Sequence, residues 1–193
     1  MNNFFLAITL LLALTNHAQA NNQFNDFFNS FDRLSANFKQ TTHNEFGALI
    51  NASSGTLTFN RPRQLRWHTM HPNEQILLLN HNELWLVDVE LEQATLQKTT
   101  DLSKTPLYWL LNKPDRIKNT PVFSHTEQGT DWYKTTQENT LYFGFDNNTL
   151  SAISLKNELD QKVLVVLDQV TINPSIDTQV FKLNLDPSFD VIR

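Results

Sequence analysis

The chain has 193 residues, a formal net charge of −5 and no cysteine. That length suffices for one domain with a substantial core, and the acidic balance argues against a nucleic-acid backbone as partner. Without cysteine there is neither a disulfide staple nor thiol chemistry, so apolar burial must hold the fold.

Residues 1–20 read as a secretory signal. Phe4 to Leu14 is an apolar run short for a bilayer span, and Ala18-Gln19-Ala20 has the small-x-small form of a cleavage site. No Lys or Arg precedes the run, so an uncleaved anchor or a buried first helix is the alternative. The abrupt change of composition at Asn21-Asn22-Gln23 favours cleavage after Ala20, leaving residues 21–193 as a single domain.

A helix is expected next. Phe24, Phe27, Phe28, Phe31, Leu34 and Phe38 recur at spacings of three and four along one face, with Asn21 or Asn22 available as a cap. An ordinary core helix lying on a sheet accounts for such a stripe. Its aromatic character also suits a surface that closes over something else.

After Gln40 the period changes to that of short strands between turn residues. Strands are predicted at 35–44, 47–51, 55–60, 64–69, 74–79, 83–87, 93–98, 132–136, 140–146, 149–156, 162–171 and 179–185. Asp146-Asn147-Asn148-Thr149 is a tight hairpin signal, because Asn tolerates positive φ. Between the two strand blocks, Thr105-Pro106 has the form of a helix start, and Leu107 to Leu111 is apolar all round before Lys113-Pro114 ends it. A helix without a polar face must be covered on several sides. The expected fold is mainly β with helices (α+β): one curved antiparallel sheet, a half-open barrel whose concave face is roofed by short apolar helices.

One stretch breaks the pattern. From Gly55 to Met70, Leu57, Phe59, Arg61, Leu65 and Trp67 share one strand face, while Thr56, Thr58, Asn60, Gln64, Arg66 and His68 share the other. Arg61 therefore sits among apolar and aromatic neighbours, where a guanidinium must find acceptors or stay wet. A kink at Pro62 that lets Arg61 reach water is the competing reading.

The same stretch carries a resemblance. Arg61-Pro62-x-x-Leu65-Arg66-Trp67, preceded by Gly55-x-Leu57-x-Phe59, resembles the LolA family of periplasmic outer-membrane lipoprotein carriers. Phe38-Lys39-Gln40, Gln75-Ile76-Leu77, Leu84 to Asp88, Gln93-Ala94-Thr95 and Thr105-Pro106-Leu107 resemble further family segments in the same order, from about Phe24 to the C-terminus. The resemblance implies a periplasmic, monomeric chaperone that carries acylated lipoproteins. It would load from the inner-membrane ABC transporter LolCDE and unload to the outer-membrane receptor LolB. It implies that Arg61 locks the closed form of a helical lid. On the same reading Leu57, Phe59, Leu65, Trp67 and Trp85 line the acyl-chain cavity, and Phe24, Phe28, Phe31, Leu107 and Leu110 face it from the lid. Permanent core packing is the alternative for each, and for Trp85 the neighbouring Leu84 and Leu86 are rivals for the inward position. Two departures stand out: Leu65 where the family often has an aromatic, and a C-terminal Pro187-Ser188-Phe189-Asp190-Val191 without the family's glycine.

The residues themselves offer little for catalysis. There is no G-x-S-x-G elbow and no glycine-rich phosphate loop, the four glycines being scattered. His68 and His71 fall on opposite strand faces, which does not suit a shared metal. No cofactor or metal and no enzymatic activity is expected. The alternatives to a lipoprotein carrier are a periplasmic binding protein for a free fatty acid or glycolipid, and a secreted hydrolase with an atypical site.

Overall fold

The computed structural model describes residues 23–98, 102, 106–136, 140–157 and 159–193. The signal at residues 1–20, the caps Asn21 and Asn22, and the cap Thr105 lie outside the described residues.

Helix α1 spans Gln23–Asn29. It ends where the amide and the hydroxyl of Ser30 both donate to the Phe27 carbonyl, at 3.1 and 2.7 Å. Strand β1 (Arg33–His43) follows at once. The expected continuation of the helix through Leu34 and Phe38 is thus corrected. Leu34, Ala36 and Phe38 are buried in alternation, as a strand requires. Strand β2 (Leu49–Asn60) is one strand where two were predicted, and its hairpin turn with β1 is Asn44–Ala48. Then come β3 (Gln64–His71), β4 (Gln75–Asn80), β5 (Glu83–Asp88) and β6 (Gln93–Lys98). Helix α2 (Pro106–Leu111) and a 3-10 turn at Pro114–Arg116 precede β7 (Val122–Glu127), β8 (Thr130–Lys134), β9 (Leu141–Asp146), β10 (Thr149–Lys156) and β11 (Lys162–Ile172). The predicted strand at 179–185 is instead a 3-10 turn, Thr178–Phe181, followed by irregular chain that leads to β12 (Asp190–Ile192).

The twelve strands among the described residues form one open sheet in the order β12-β6-β5-β4-β3-β2-β1-β11-β10-β9-β8-β7. Every pairing is antiparallel except that of β12 with β6, which is parallel. Register shifts interrupt the ladder at Ser35/Asn37, Thr42/His43, Ser54/Gly55, Phe123/His125 and Leu150/Ala152. Such bulges increase local twist and bend a sheet. At Gly55 the main chain of His68 comes so close that a Cβ would collide with its carbonyl oxygen.

Each face of the sheet has its own core. The larger core lies on the inner face, where Leu34, Phe59, Leu65 and Leu79 stand opposite one another across β1–β4, and Phe143, Ile153 and Val165 continue across β9–β11. Both helices pack onto it. The smaller core lies on the outer face of β4–β6, where Ile76, Leu78, Val87 and Ala94 are covered by Phe181 and its C-terminal neighbours.

Candidate functional site

The turn between β2 and β3 positions Arg61. Its amide donates to the Asp32 carbonyl at 2.9 Å, which ties the turn to the start of β1. Its guanidinium points inward. Nε and Nη2 each donate to the Leu110 carbonyl at 3.1 Å, while Nη1 donates to the carbonyls of Phe28 at 2.6 Å and Phe31 at 2.9 Å. The last turn of a helix leaves carbonyls without intrahelical partners, and its end carries a partial negative charge. Phe28 and Leu110 lie in the last turns of α1 and α2, so one cation serves both helix ends at once. Rings enclose it: the guanidinium carbon lies 4.9 Å from the centre of Phe31, and 5.7 Å from those of Phe28 and Phe59. Removal from water pushes the Arg61 pKa down to about 10, against the pull of the Asp32 and Asp115 charges. Asp32 in turn pairs with Lys113, just past α2, at 2.8 Å. The bond from Lys113 holds the Asp32 carboxyl below its ordinary value.

Around this cation the helices fill the hollow of the sheet. Phe24 of α1 packs against Phe28 in a tilted pair at 4.5 Å and meets Phe143 of β9 edge-on at 5.1 Å and Trp109 of α2 at 6.5 Å. A chain of seven residues and one of six are each too short to hold a helix in water. Their burial and the Arg61 bonds supply what propensity does not.

The residues expected at the cavity fall out as follows. Leu57, Phe59 and Leu65 from the strands, and Phe24, Phe28, Phe31 and Leu110 from the covering side, are buried in the larger core. Trp67 and Leu107 pack against it, half-buried. Trp85 is corrected: it faces the other side, opposite Leu78 and Leu96, and packs on the smaller core. Leu84, opposite Leu79, takes the inward position on β5. Trp109, Phe143 and Phe145 belong to the same aromatic cluster and were not singled out in the sequence. The alternation of Leu141, Phe143 and Phe145 was the available signal for the last two. For Trp109 there was none, because every neighbour in α2 is equally apolar. Of His68 and His71, the pair weighed above as metal ligands, His68 is hydrogen-bonded to Glu74 at 2.7 Å on the outer face.

A family model described as outer membrane lipoprotein carrier protein LolA matches residues 29–184. The chain belongs to the LolA family. Its LolA relatives include a protein of Pseudomonas paraeruginosa, 29% identical over 97% of this chain and 94% of its own. Another, of Legionella pneumophila, is 26% identical over the whole of both chains. Both are named outer-membrane lipoprotein carrier protein. Among solved structures, a LolA superfamily protein of Nitrosomonas europaea matches 83% of this chain and 96% of its own, with a TM-score of 0.52 at 10% identity. An uncharacterized conserved protein of Thermus thermophilus matches 91% and 99%, with a TM-score of 0.55 at 8% identity. Both share the fold. Among the described residues of this LolA family member, no helix is long and apolar enough to cross a membrane.

Proposed function

We propose that the protein is a periplasmic chaperone whose domain, residues 21–193, shields the acyl chains of lipoproteins and carries them from LolCDE to LolB. Family membership supports the carrier role. The observation that carries the mechanism is the set of four bonds from Arg61 to α1, α2 and the turn between α1 and β1.

Each methylene left in water costs about 0.8 kcal/mol, so a soluble carrier must enclose the chains. In the closed form the aromatic side chains of α1 and α2 occupy the hollow. On loading, the two helices act as a lid: they swing off the inner face, and acyl chains take the places of Phe24, Phe28, Phe31, Leu107 and Leu110 against Leu57, Phe59, Leu65 and Trp67. Opening breaks the Arg61 bonds, and hydrogen bonds to charged groups contribute roughly 1.5–3 kcal/mol each. Closing remakes them and drives cargo out toward the receptor. A bias of a few kcal/mol is what such a two-state element needs. The family is one of carriers, and the site is built for exchange of apolar surfaces. Energy for loading comes from the transporter.

The test is Arg61→Leu. The variant should accumulate in the loaded form and pass cargo to the receptor more slowly. Release as fast as that of the wild type would sink the locking role. Native mass spectrometry of protein taken from the periplasm tests the cargo itself. Bound triacylated lipoprotein is the expected result, and a fatty acid or glycolipid alone would replace the carrier reading with that of a small-amphiphile binding protein.

A further inference from the structure

The inner face of the sheet extends beyond the helices. Past Trp67, Leu77 and Leu86 it continues as an open trough of about 560 Å³, lined among the described residues by β1–β6 and the turn after β3. Its floor changes character along every strand that crosses it. On β1, Phe38 gives way to Gln40; on β2, Leu57 gives way to Ser53 and Asn51; on β3, Leu65 gives way to Thr69. Gln93 and Thr95 of β6 complete the floor. All six side chains are neutral, and each carries a hydrogen-bond donor. No hydrogen bond between described residues occupies the side chains of Gln40, Asn51, Ser53 or Gln93. Asp88, the carboxylate at the trough, already accepts from Gln75 Nε2 at 3.0 Å and from the Leu91 amide at 3.1 Å. Among the described residues, no Lys or Arg lines it.

A sheet face that only meets water usually mixes charges of both signs among its polar residues. A row of uncharged donors that begins where an apolar hollow ends is suited to a molecule with an apolar tail and a neutral, acceptor-rich head. We infer that the trough binds the head of an acylated N-terminus: the ester carbonyls of its glycerol, its acyl amide and the first peptide units. This rests on the carrier reading above and deepens it. The ester carbonyls accept from the amide nitrogens of Asn51 and Gln93, and the peptide N–H groups donate to the side-chain oxygens of the same residues. A triacylated N-terminus has no ionised amine and needs no counter-charge from the floor, where the one carboxylate among the described residues, Asp88, is already engaged by Gln75 and the Leu91 amide. The volume is in the range of pockets that hold groups of this size.

The experiment compares two probes on the full chain: a synthetic tripalmitoyl-S-glycerylcysteinyl tetrapeptide, and palmitate. In the double variant Asn51→Leu, Gln93→Leu, affinity for the lipopeptide should fall about tenfold while affinity for palmitate holds, since two net hydrogen bonds to the head are lost. The single variant Gln93→Glu should weaken lipopeptide binding alone, with an unchanged unfolding midpoint as the control for folding. Undiminished lipopeptide binding in the double variant overturns the head subsite and leaves the carrier reading standing. So does a wild-type protein that binds the lipopeptide no tighter than palmitate. A wild-type protein that binds neither probe overturns both.

Discussion

Arg61 and Arg66 lie five positions apart on opposite faces of the same hairpin, and each reaches a segment that covers its side. Arg66 Nη1 makes a single long contact of 3.5 Å with the Val180 carbonyl. Arg61 makes four bonds of 2.6–3.1 Å. The difference follows from how each cover is otherwise attached. The C-terminal segment on the outer face is spliced into the sheet: β12 pairs with β6, and the Asp190 amide donates to the Glu92 carbonyl at 2.8 Å. Phe181 is anchored beneath it. The helices on the inner face enter no ladder. Apart from packing, what holds them among the described residues is mainly side-chain bonding: the Arg61 guanidinium, the Asp32–Lys113 ion pair and Gln23 Nε2 donating to Asp131 Oδ2 at 3.2 Å. A backbone ladder opens only with the sheet, whereas side-chain bonds can break and re-form while the sheet stays intact. The outer cover is therefore joined to the sheet by backbone pairing, whereas the inner one rests on packing and side-chain bonds, which supports the proposal that it opens.

Pinning the inner cover should have the largest effect. The chain has no cysteine, so Asp32→Cys with Lys113→Cys, joined by a short bis-maleimide, labels only that pair. The linked protein should lose lipopeptide loading altogether. Full loading in the linked form would show that α2 need not move. Next is Phe181→Ala, which empties the centre of the smaller core and should cost about 3–5 kcal/mol in urea unfolding. Loading by the folded fraction should be unchanged; a loading defect would mean that the two covers are coupled. Arg61→Lys should come third. An ammonium keeps the charge and loses the planar fork, so it cannot serve Leu110 and the α1 carbonyls together. Amide exchange in α1 and α2 should rise about tenfold, and cargo release should fall between that of the wild type and that of Arg61→Leu.

The smallest effect belongs to the ion pair. Lys113→Ala should cost less than about 1 kcal/mol, because Asp32 is well exposed. The Asp32 carboxyl has a folded pKa below its ordinary 3.8, with the Lys113 bond the largest cause. Its contribution is therefore present above that value and is lost as pH falls through the folded one. Unfolding midpoints of wild type and Lys113→Ala should converge as the pH drops below about 4. A gap that persists at lower pH would assign the effect to the Lys113 stem instead.

Much of this was legible from the amino acids. The alternation around Arg61, the β-rich period after Gln40 and the greasy α2 are properties of local order, and each appears where residue types placed it. What misled was degeneracy of period. Phe31, Leu34 and Phe38 fit a helical stripe, yet Leu34 and Phe38 also fit a strand. Along β5, Leu84, Trp85 and Leu86 are all apolar, so alternation could not say which faces in. With cores on both faces of the sheet, every residue of that run has an apolar place to go.

By itself, then, the chain determined that Leu57, Phe59, Leu65 and Trp67 would share one face, because strand geometry sends alternate side chains the same way, and it left open whether Arg61, beside Pro62, would join them or reach water. Only the tertiary structure decided what that arginine would hold. Its partners are the carbonyls of Phe28, Phe31 and Leu110, up to 49 residues away. Every residue has a carbonyl, so no side-chain pattern announces which ones will be left unpaired. That depends on where two short helices end and on the curvature that brings those ends together.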